Sequence, residues 1–129
     1  VTAFRVLLVF IFGGAGSACR YLLGGWIVEL AGPVFPYGTI TINTLGSFLI
    51  ALIMAISLNS TLISPDVRIA LTTGVMGGFT TYSTFNYESV SLFTQGALLL
   101  GALNILVTVL MCLVAGFAGL ALGRWLVAH

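Results

Sequence analysis

Ten consecutive uncharged residues, Gly77-Gly78-Phe79-Thr80-Thr81-Tyr82-Ser83-Thr84-Phe85-Asn86, interrupt a segment whose flanks are otherwise apolar. The glycines can release backbone groups, the hydroxyls of Thr80, Thr81, Ser83 and Thr84 can donate hydrogen bonds, and Phe79, Tyr82 and Phe85 offer electropositive ring edges. That inventory suits a small anion. Carbonyl oxygens exposed around Gly77 to Thr80 suit a desolvated monovalent cation. Tyr82 and Phe85 stand three residues apart, which puts both rings on one face of a resumed helix. The same spacing serves ordinary core packing, and it is the interleaved hydroxyls after a Gly-Gly pair that shift the balance toward a binding site.

Further polar residues recur at helical spacing. Thr39, Asn43 and Ser47 form one stripe, and Asn104, Thr108 and Cys112 form another. An amide in hydrocarbon must meet another helix, a water or a substrate, so Asn43 is either an interhelical hydrogen bonder or a site residue. Asn104 and Thr108, one turn apart, can pack against a neighbouring helix or extend a polar track that hands an ion from group to group. Arg20 can reach the membrane interface or form the base of an aqueous vestibule that concentrates anions. Glu88 would repel an anion beside it unless neutral, paired with an arginine or outside the narrowest part of the path. Cys19 and Cys112 lack the spacing of a redox or metal motif and read as small packing residues.

The elements that must position these residues are membrane spans. Of 129 residues, 60% are apolar and 5% charged, and the mean hydropathy is +1.21, far outside the soluble range. At about 20 residues per span the chain holds four helices and short connections, a single transmembrane domain over 1–129. The spans run from about Phe4 to Leu23, Gly38 to Leu58, Val67 to Phe93 with the break inside, and Ala97 to Val127. Loops fall at Glu29 to Tyr37, at Asn59 to Asp66, where Ser64 or Asp66 can cap the third span, and near Gln95-Gly96. The first run also has features of a signal peptide, but its Gly13, Gly14, Gly16 and Ser17 cluster reads better as a close helix-packing surface. Four arginines against three acids, with no lysine, exclude nucleic acid as a partner and encode orientation weakly, so that insertion in both directions is open.

Taken together, Gly-Gly-Ala-Gly with Arg20 in the first span, Gly38-Thr39 and Asn43 in the second, Thr73-Gly74 through Phe85 in the third, and Glu88 beyond resemble the Fluc (CrcB) family of fluoride channels. The resemblance covers nearly the whole chain. It implies an all-α membrane protein, a dual-topology homodimer of antiparallel four-helix subunits with the third helix broken near its middle, set in the cell's inner membrane among lipid. It implies two fluoride pores and a central structural sodium ion. By the same resemblance Tyr82 and Phe85 match the paired pore phenylalanines, Asn43 the pore amide, and Gly77 and Thr80 the sodium-binding carbonyls. Thr108 and Cys112 fall on its polar track, to which Asn104, Ser83 and Thr39 add further pore groups. Tyr82 departs from the usual phenylalanine, and Cys112 is a weaker donor than a hydroxyl.

Two other function classes fit parts of the sequence. A small four-helix multidrug or cation exporter needs an accessible membrane carboxylate, for which Glu88 is the single choice. A scaffold subunit explains the small-residue faces but leaves the break without a purpose. No nucleophile, base and orienting group stand at the spacing of an enzyme.

Overall fold

A computed structural model describes residues 1–129, and it contains helices and no strands. Helix α1 spans Ala3–Ala31 and α2 Tyr37–Asn59. The third segment has two parts, α3 over residues 65–79 and α4 over Tyr82–Thr94, and α5 spans Leu98–Ala128. The helices α1, α2 and α5 are long and apolar enough to cross a membrane. The third segment falls short of that standard because Thr80 and Thr81 divide it.

Three boundaries differ from expectation. First, α1 continues past Leu23 to Ala31, carrying the charged Glu29, and stops where Gly32 takes φ 84°, a conformation that side chains disfavour. Its 29 residues reach about 43 Å. Arg20 therefore lies near the middle of the protein, not at its far rim. Second, the interruption of the third segment is narrow: Gly77 and Gly78 are helical and only Thr80 and Thr81 are extended. Third, residues Ala70–Met76 within α3 form a π-helical stretch, an expanded coil that nothing in the composition announces. At the start of α3 the cap is Ser64, whose hydroxyl accepts from the Val67 amide at 3.3 Å, and not Asp66. Asp66 instead pairs with Arg5 at 2.8 Å, tying the starts of α1 and α3 together.

Glycine decides how closely these helices approach. A Cβ on Gly78 would sit 2.2 Å from the Gly13 carbonyl oxygen, and one on Gly16 would sit 2.1 Å from that of Val75. The Gly77-Gly78 pair thus acts through contact with α1, not by unwinding the chain. On the other side α2 and α5 run parallel, with Gly119 against the Phe48 carbonyl and Gly123 against Ala55. Both termini consequently lie at one end of the bundle. Cys19 lies exposed on α1 and does not serve the packing of the protomer.

Because contact and not conformation selects glycine at 78, Gly78→Ala is expected to cost about 1–3 kcal/mol through overpacking. Gly14→Ala meets nothing within 4 Å and is expected to leave protomer stability unchanged. Thermal unfolding of both variants in detergent checks the contrast.

Candidate functional site

Two extended residues inside a membrane segment leave backbone groups that lipid cannot satisfy. The Asn43 side chain takes up both groups of one peptide unit's neighbourhood: its Nδ2 donates to the Thr81 carbonyl at 3.0 Å, and its Oδ1 accepts from the Thr81 amide at 2.8 Å. Asn43 is buried on α2, and the clamp fixes α2 to the break. Thr81 then caps α4, its Oγ1 accepting from the Thr84 amide at 3.1 Å. Across the break, Gly46 makes room for Thr80, whose Cγ2 would lie 2.1 Å from an added Cβ.

The two helix ends at the break have opposite character. The Gly78 carbonyl at the end of α3 is taken by Arg20 Nε at 3.0 Å and Ser17 Oγ at 3.4 Å. The Gly77 and Thr80 carbonyls accept no hydrogen bond outside the regular helical ladder. On the other side, the first N–H groups of α4 have no carbonyl four residues back within that helix, and its positive dipole end adds to their pull on an anion. Carbonyl lone pairs and amide hydrogens therefore stand back to back, with the Arg20 guanidinium on the carbonyl side.

Two concavities meet at Thr81. The larger, about 820 Å³, is an open groove whose lining includes Asn43 and Ser47 from α2, Gly77 and Thr80, Tyr82 and Phe85 from α4, and Thr108 and Cys112 from α5. Tyr82 and Phe85 pack edge to face, with ring centroids 5.8 Å apart and planes at 69°. Phe85 is buried, whereas Tyr82 is 78% exposed. The smaller, about 590 Å³, is lined by Arg20, Thr39, Thr84 and Glu88 among others. There Thr39 Oγ1 donates to Glu88 Oε1 at 2.5 Å.

The family model described as CrcB-like protein, Camphor Resistance (CrcB), matches residues 7–120. The chain belongs to the CrcB family. A relative from Anaeromyxobacter sp. (strain K), named fluoride-specific ion channel FluC, is 52% identical over 122 residues, which cover 95% of this chain and 97% of that protein. Relatives with the same name from Geotalea daltonii and Geobacter sulfurreducens are 49% and 46% identical, each over 121 residues that cover 94% of this chain and 98% of theirs. This CrcB chain is thus an integral membrane protein, matched over almost its entire length.

Among the residues singled out in the sequence, Asn43, Ser47, Gly77, Thr80, Thr81, Tyr82, Phe85, Thr108 and Cys112 meet in the larger groove. Arg20 and Thr39 line the smaller concavity instead. Ser83 lies exposed outside both, 3.3 Å from Thr81 Oγ1. Asn104 is 1% exposed and sits behind the groove, where its Nδ2 donates to Ser89 Oγ at 2.9 Å. Sequence reasoning passed over Ser89, which is buried and one turn beyond Phe85. Its signal was available: a hydroxyl four residues after Phe85 lies on the same helix face.

Loss of the clamp exposes the Thr81 amide. Asn43→Leu removes two hydrogen bonds, each worth about 0.5–1.5 kcal/mol net, and strands their backbone partners. The expected outcome is a loss of about 2 kcal/mol or more, with the Thr81 amide passing from slow to fast hydrogen exchange. Unchanged protection at Thr81 would show that the break is held by something else.

Proposed function

We propose that this protein is a fluoride channel that lets ions leave the cell passively down their gradient. The observation that carries the reading is that the chain spans 97–98% of relatives whose names state fluoride-specific channel activity. The groove supports it chemically. Fluoride is small and tightly hydrated, so a pore has to replace its water with N–H, O–H and ring-edge C–H groups, each weak enough to let the ion move on. Asn43 retains one Nδ2 hydrogen beyond its bond to Thr81, the α4 N-terminus supplies amides, and Tyr82 and Phe85 supply ring edges. No covalent step is involved, so the protein is not an enzyme.

The working unit in this proposal is an antiparallel homodimer in the cell's inner membrane. In support, the groove is open along one face of the protomer, and an unpaired break facing lipid would be costly. A second copy offers protein cover. The Gly77 and Thr80 carbonyls fit a sodium ion at the dimer centre: they are neutral, free of bonds outside the helical ladder, and approachable, since a Cβ at Gly77 would meet only the Thr72 carbonyl at 3.7 Å. Two copies would double this set, and the ion would offset the carbonyl ends of both α3 helices. The exporter reading gains no support from the relatives, which are named fluoride-specific channels.

Liposomes loaded with fluoride or chloride and followed by electrode are expected to release fluoride and retain chloride; equal rates would sink the proposal. Tyr82→Phe keeps both ring edges and is expected to keep selective flux, whereas Phe85→Ile keeps bulk without the aromatic edge and is expected to lose at least about tenfold, the scale of an interaction worth about 1.4 kcal/mol. A folded Phe85→Ile protein conducting at the parent rate would remove Phe85 from the path. Exchange of sodium for a large organic cation during purification is expected to shift the dimer toward monomer in cross-linking and size measurements. A dimer equally stable in sodium-free buffer would exclude the ion.

A further inference from the structure

Three polar side chains behind the groove are almost fully buried: Asn104 at 1%, Ser89 at 4% and Thr108 at 5% exposure. They form one chain of hydrogen bonds, and its direction follows from its fixed end. The Phe85 carbonyl can only accept, so Ser89 donates its hydroxyl hydrogen there at 2.9 Å. With that hydrogen committed, Ser89 Oγ accepts from Asn104 Nδ2 at 2.9 Å. The amide is thereby oriented with Oδ1 toward Thr108, and it accepts the Thr108 hydroxyl hydrogen at 3.4 Å. Two links have ordinary length, and the last lies beyond the usual range for an O–H···O bond. Thr108 is also the one member of the three that lines the groove.

On the fluoride-channel reading above, we propose that Asn104 is a positioning residue for Thr108: it holds the Thr108 hydrogen loosely against its amide oxygen and yields it to an ion in the groove. Asn104 itself touches no ion. A short, strong bond would withhold the hydrogen. Without any acceptor, the hydroxyl would turn to the carbonyl of its own helix one turn back, at residue 104, and be lost to the ion just as effectively. A long bond to a neutral amide lies between these limits. An anion is a stronger acceptor than an amide oxygen, so fluoride draws the hydrogen across, and the amide recovers it when the ion moves on. Ser89 keeps the amide from turning its NH2 group toward Thr108.

The test is a double-mutant cycle on fluoride efflux from liposomes, normalised to folded protein, with the half-saturating fluoride concentration measured for each variant. Thr108→Val is expected to lower flux about tenfold in the parent but less than about threefold in an Asn104→Leu background, because residues in direct contact are not additive. Thr108→Ser keeps the hydroxyl hydrogen and, unlike Thr108→Val, is expected to remain sensitive to Asn104→Leu, losing further flux when the two are combined. Ser89→Ala, a smaller change that folds if Asn104→Leu does not, is expected to show the same non-additivity with Thr108→Val. Asn104→Leu is also expected to raise the half-saturating concentration, which a purely structural role would leave in place. Equal losses from Thr108→Val in every background overturn the inference while leaving the channel reading intact. A parent protein with no fluoride flux overturns both.

Discussion

The structure depends on how a peptide backbone that leaves the helix inside a membrane finds its partners. Water is absent there, and an unpaired amide or carbonyl costs several kcal/mol. Asn43 answers that demand at Thr81 with a donor and an acceptor from one side chain, at 3.0 and 2.8 Å. Arg20 and Ser17 answer it at Gly78, and Thr81 does so at the start of α4. What stays unanswered at the Gly77 and Thr80 carbonyls and at the Tyr82 and Ser83 amides is the polar material from which the proposed sites are built.

That arrangement requires helices that approach more closely than side chains allow. Gly13 and Gly16 on α1 meet Gly78 and Val75 on α3 through backbone contacts, and Gly46 on α2 admits the Thr80 methyl. The π-helical stretch Ala70–Met76 lies in the same stretch of α3, immediately before Gly77. Packing density and polar pairing are therefore one problem here. The same residues that bring the backbones together bring Arg20, Ser17 and Asn43 within reach of the break.

The two concavities divide the chemistry. The larger has amide, hydroxyl and ring-edge groups with no charged side chain, and the smaller has Arg20 and a Glu88 held by Thr39. Only the Thr81 region separates them. Fixed charge of both signs thus lies in the smaller concavity, and the neutral donors lie in the larger, open groove.

By itself the sequence determined the membrane class, the four segments, the ends of α2 and α5 to within a residue, and the family, because apolar length and a highly specific Gly-Gly-x-Thr-Thr-aromatic-Ser-Thr-Phe run are local properties. Tyr82 and Phe85 could be placed on one face from spacing alone. Tertiary structure decided the rest. Whether Gly77-Gly78 would unwind or stay helical depended on what α1 presented to them, and α1 presented a glycine carbonyl that excludes a Cβ. Arg20 read either as an interface residue or as the base of a vestibule because the first span was expected to end near Leu23, yet the helix ran on to Ala31. Asn104 read as a member of a polar track, but its burial and its bond to Ser89 depend on how α5 meets α4, a register that spacing within either helix cannot express. Hydrogen-bond partners across helices are set by the rotation and depth at which two surfaces meet, and those are properties of the packed bundle.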